Sequence, residues 1–178
     1  PTLPSVDKSV SRAMLLTMRF AFSILILSLF LSACSSTNNE AITQVKFKDI
    51  DPTFMEDRDF KRINEFLTGV EEHGDRTVVR SQAKIRAGFY FAIHLDTKIN
   101  RLPRGARMFA EIYSPLSTEV QTFDLTLPAE RGSSREILFG LTGSDWPYGD
   151  NRAPAAWRFT IKDANDKSLG SAQSYLWN

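Results

Sequence analysis

One cysteine, two histidines and nine glycines stand among 178 residues, and the formal net charge is +1. With Cys34 the only thiol, no disulfide can form within the chain and no multi-thiolate metal site can be built, so an ordinary hydrophobic core must hold the fold. The imidazoles, His73 and His94, are too few for a histidine metal motif. His73 sits among carboxylates in Val70-Glu71-Glu72-His73-Gly74-Asp75, without the spacing of a known site, and His94 falls on the polar face of a strand pattern. The serines at 133, 134, 144, 168, 171 and 174 lack the Gly-x-Ser-x-Gly elbow, and no glycine-rich loop leads into a helix to cradle phosphate. Glu71-Glu72, or Glu111 with Glu119, could be imagined as glycosidase carboxylates, but spacing alone does not set their separation. No catalytic residue, cofactor or metal is therefore expected. Near-neutral charge also excludes nucleic acid as a partner.

The longest early apolar run, Phe20 to Leu31, is 12 residues, short of the roughly 20 needed to span a bilayer. Arg19 precedes it, and Leu31-Ser32-Ala33-Cys34 closes it. A positive charge, a short apolar run and small residues before cysteine are the parts of an export signal. The last four residues resemble the lipobox of bacterial lipoproteins. That resemblance implies acylation of Cys34, which becomes the first mature residue, and a membrane anchor in which each buried methylene contributes about 0.8 kcal/mol. Because Ser35 rather than aspartate comes next, resemblance to sorted lipoproteins implies the outer membrane, at its periplasmic face or the surface.

Met18 reads as the natural start, with 1–17 an upstream extension, 18–33 the signal, 34–45 a lipidated tether and 46–178 one domain. Removing residues 1–34 takes away Lys8, Arg12, Arg19 and Asp7, leaving 19 basic against 20 acidic side chains. Ser35 to Glu40 is wholly polar, as a tether should be. The remaining stretch of about 140 residues is the size of a single domain.

Between Phe54 and Val70, the apolar residues Phe60, Ile63, Phe66, Leu67 and Val70 recur at helical spacing, with Asp57 or Asp59 as cap and Gly69 near the end. One short helix is expected. From Ala83 to Asp96 the period becomes two, with Phe89, Phe91, Ile93 and Leu95 on the core side and Tyr90 on the other. Further strands are expected at Thr77–Arg80, Arg107–Tyr113, Val120–Leu127, Arg135–Leu141, Ala156–Lys162 and Ser168–Trp177, about seven in all. Short strands with turn signals between them predict a mainly β, antiparallel sandwich of about seven strands preceded by one short helix. The pattern resembles immunoglobulin and fibronectin type III sandwiches in architecture only, with transthyretin-like and jelly-roll sandwiches equally compatible. Architecture of this kind carries no function.

The loop from Gly140 to Arg152 combines glycines, Pro147 and polar residues with Trp146 and Tyr148. Large aromatics on a loop supply rigid amphipathic contact area, so Trp146 and Tyr148, flanked by Asp145, Asp150 and Asn151, form the candidate partner-binding surface. The opposing reading is that Trp146 folds back to plug one end of the sandwich. The functional expectation is an envelope lipoprotein acting as a non-enzymatic binding or assembly module, its partner an envelope protein or glycan; the alternative is a periplasmic or cell-wall hydrolase.

Overall fold

The computed structural model describes residues 42–177, so the expectations for Cys34, the signal and the segment before residue 42 lie outside the described residues. Eight strands build two four-stranded sheets: β1 (Phe47–Met55), β2 (Thr77–Arg80), β3 (Gly88–Leu95), β4 (Arg107–Tyr113), β5 (Val120–Thr126), β6 (Glu136–Thr142), β7 (Ala156–Lys162) and β8 (Ser168–Gln173). One sheet runs β1-β3-β6-β2 and the other β5-β4-β7-β8. The expected mainly β sandwich is the observed fold. Its order matches the A-B-E and C′-C-F-G strands of an immunoglobulin domain, with one departure: β2 takes the edge next to β6 and pairs with it in parallel. All other ladders are antiparallel. Among the described residues no helix is long and apolar enough to cross a membrane.

The core lies between the sheets, where the alternation seen in sequence meets itself. Phe91, Ile93, Ile137, Phe139, Phe159 and Ile161 are each 0% exposed. Phe91 and Phe139 sit opposite one another in the β3–β6 ladder, and both rings meet Phe159 from the other sheet. Tyr90 departs from expectation. A side chain on the far face of β3 should be solvated, yet Tyr90 is also 0% exposed, because Phe60 and Leu138 join it in a second small core outside the sheet. A Cβ at Gly140 would meet the Tyr90 ring, so glycine there makes room for the tyrosine.

The helix is the main correction. Phe54 and Met55 belong to β1, and the segment after them forms two short helices, α1 (Asp57–Phe60) and α2 (Ile63–Thr68), which come after the first strand rather than before the sandwich. Lys61 is extended (φ −70°, ψ 122°), which breaks the run between them. Glu56 caps α1 and its N–H donates to Asp59 Oδ2 at 2.7 Å, while Gly69 closes α2 with φ 69°, the left-handed conformation that glycine adopts without strain. Strand β1 itself was hidden by Asp49, Asp51 and Pro52. It lies at a sheet edge, where a proline without an N–H is tolerated.

Other boundaries move less. The alternation from Ala83 to Ala87 is not strand, since Ile85 N–H turns back to Gln82 O, and β8 stops at Gln173 before a turn closed by Trp177 N–H on Ser174 O. Val45, expected in the tether, is 3% exposed and its N–H donates to Leu169 O at 2.7 Å. The packed chain therefore begins before residue 46.

Candidate functional site

Strand β6 delivers the candidate loop to one end of the sandwich. After Thr142 the chain makes a 3-10 turn over Gly143–Asp145, and Gly143 and Gly149 adopt φ of 61° and 63°. These two left-handed residues reverse the chain so that Trp146 points inward rather than out. Its ring is 4% exposed, lies 4.8 Å from Phe89, and donates its Nε1–H to Gly149 O at 2.9 Å. Tyr148 packs edge-on against it at 5.0 Å, and its hydroxyl reaches Ser114 Oγ at 3.4 Å.

The expectation that Trp146 is a contact anchor is thus corrected: its indole is a plug that caps the core, and its one polar group is satisfied within the loop. Tyr148 is half-buried beside it, Asp145 is half-buried, and Asp150 and Asn151 are exposed. Among the described residues, no cluster of His, Cys, Asp and Glu could hold a metal ion.

A second constellation escaped the sequence reading. On the outer face of the first sheet, Arg80, with its side chain 5% exposed, forks onto Glu71: Nη1 donates to Oε2 at 3.0 Å and Nη2 to Oε1 at 2.5 Å. Its Nε donates to the Tyr90 hydroxyl at 2.9 Å, which in turn donates to Arg86 O at 2.5 Å. Arg86 reaches Glu65 on α2 at 2.6 Å and Glu71 at 3.3 Å. The Arg80 guanidinium also covers Phe60 at 4.7 Å. A paired, bidentate network of this kind holds the α1–α2 segment to the sheet. Burial alone would raise the Glu71 pKa, but the Arg80 hydrogen bonds and the neighbouring cations outweigh it, and the carboxyl stays ionised below its ordinary range.

These pairings decide what the carboxylates can do. Glu71 is committed to Arg80, and Glu111 is held by Arg158 through two contacts of 2.5 Å. Neither is a free acid or base. The hollow bounded by Phe60, Arg62, His73, Arg76 and Leu138 offers about 20 Å³, room for one water rather than a substrate. His94 lies 3.9 Å from Asp51 and 4.0 Å from Glu136 on the same outer face.

His73 Nδ1 is 3.4 Å from Glu71. Burial first, then the charges of Arg80, Arg86 and Arg62, hold its pKa below the ordinary 6.5 despite Glu71. The unfolded chain therefore takes up this proton more readily, and stability falls as pH drops below about 6.5; the depressed Glu71 adds a second loss below about 4.5. Urea midpoints measured between about pH 7.5 and 5.5 are expected to decline for the wild type and to flatten for His73→Gln. An unchanged slope in the variant would remove His73 as the cause.

No family model matches the chain, and no curated protein matches it.

Proposed function

We propose that the chain is an envelope lipoprotein, acylated at Cys34 and anchored in the outer membrane, whose sandwich serves as a non-enzymatic binding or assembly module. The anchoring half rests on the order of Arg19, the Phe20–Leu31 run and Leu31-Ser32-Ala33-Cys34. The observation that carries the non-enzymatic half is the bonding of Glu71 and Glu111 to arginines, which weighs against a hydrolase needing free converging carboxylates. The partner is an envelope protein or a glycan. It would meet the loop through the edge of Tyr148, Asp150 and Asn151, with Asp145 at the margin and Trp146 as rigid support beneath them.

The test is Cys34→Ser in the full chain. Wild type is expected to incorporate labelled palmitate and to sediment with washed membranes; the variant is expected to do neither and to keep its fold. The variant in washed membranes, together with unlabelled wild type, would defeat the lipoprotein reading.

A further inference from the structure

Helix α2 is mounted the wrong way round for a soluble protein. Ile63, Phe66 and Leu67, spaced i, i+3 and i+4, share one face of α2 and are 84%, 79% and 80% exposed, and Val70, just past the Gly69 cap, is 67% exposed. Its polar side faces the protein instead: the Glu65 side chain is 15% exposed and bonded to Arg86. An ordinary surface helix packs the apolar stripe down. Here the Arg80–Glu71 fork, the Glu65–Arg86 pair and the packing of Phe60 on Tyr90 fix the segment from its polar side and leave the stripe in water.

From this we propose that the apolar face of α2 is a membrane-contact surface, lying on the same bilayer that would hold the lipid on Cys34; the inference rests on the lipoprotein reading. Four side chains make a patch in the ~300–600 Å² class that is often functional, below the ~800 Å² per partner of a stable protein interface. Such a patch holds poorly alone but well beside another anchor. Ile42 already packs against the core, so only residues 35–41 separate it from Cys34, a span of at most about 29 Å. Tethering this short gives the domain a high effective concentration at the bilayer, where weak apolar insertion suffices.

The charges beside the stripe cancel. Arg58 pairs with Glu56 at 2.9 Å and Lys61 with Asp57 at 2.8 Å, while Arg62 and Asp59, of opposite charge, line one hollow. The contact is therefore apolar insertion rather than attraction to anionic headgroups, and neutral lipid is enough.

The experiment uses the full chain carrying Phe66→Trp, exported and processed in a bacterium. The mass at Cys34 is measured, and the protein is reconstituted in neutral phosphatidylcholine–phosphatidylethanolamine vesicles. The tryptophan at 66 is expected to shift to the blue on reconstitution and to be quenched about twofold by brominated acyl chains, in low and high salt alike, beyond any quenching of the three native tryptophans. Leu67→Asp added to this chain is expected to abolish the quenching with no change in Tm, since position 67 is solvent-facing.

Acylated protein in vesicles with an unquenched probe would overturn the proposal and leave the lipoprotein reading standing. An unmodified Cys34 would overturn both. A blue shift without vesicles that grows with protein concentration would assign the face to a second copy and overturn the bilayer contact.

Discussion

Phe91→Ala is expected to lower the unfolding free energy by about 3–5 kcal/mol, the range for deleting a buried aromatic and leaving a cavity. The ring is 0% exposed and lies 4.9 Å from Phe159, 5.6 Å from Phe89 and 6.1 Å from Trp157, so it bridges both sheets. Its strand, β3, is hydrogen-bonded on both edges, to β1 and β6, and cannot shift to fill the void. Against a typical total of about 5–15 kcal/mol, such a loss removes a large share of stability. Urea unfolding is the check: the midpoint should fall with little change in slope. A midpoint equal to wild type would mean that the ring is not in the core.

The inward face of β3 was legible because Phe89, Phe91, Ile93 and Leu95 repeat at the period of a strand, and only burial between two sheets satisfies that pattern. Its outward face was not. Tyr90 reads as the solvent side of an amphipathic strand, and the groups that bury it come from elsewhere: Phe60 on α1, Arg80 on β2 and Leu138 on β6. Contacts of that kind have no period to detect. The same limit hid the ion-pair network, since Glu65, Glu71, Arg80 and Arg86 share no helical or strand spacing and meet only once α2, β2 and the turn before β3 are folded together.

The α2 stripe shows the converse. Helical spacing over Phe60, Ile63, Phe66, Leu67 and Val70 marked helix but showed neither the break at Lys61 nor the end at Thr68 that leaves Val70 outside, and periodicity says which residues share a face and nothing about what that face meets. The usual inference that an apolar stripe is a core stripe failed there. In the loop, Gly143 and Gly149 marked reversals, but the side toward which Trp146 turns depends on Phe89 lying beneath it. Trp146 and Phe89 are separated by 57 positions in the chain, beyond the reach of any local pattern.

Trp146→Ala is the variant in which fold and function part company. Two roles are open to a loop tryptophan: a contact anchor, whose truncation weakens a partner complex by roughly 2 kcal/mol while leaving the free protein intact, and a plug, whose truncation unfolds it. The geometry assigns the plug. Removing the indole strips the cover from Phe89, deprives Tyr148 of the ring it packs against and leaves Gly149 O without its 2.9 Å donor. These losses act together, and a cost of about 3–5 kcal/mol is expected, a fall in Tm of roughly 10 °C or more for a domain of this size. Asp150→Ala and Asn151→Ala, on the exposed rim of the same loop, should stay within about 0.5 kcal/mol of wild type. Thermal unfolding of the three variants therefore separates the support from the surface it carries. If Trp146→Ala melted with the wild type, the ring would have to be free of the core, and its place as a contact anchor would be restored.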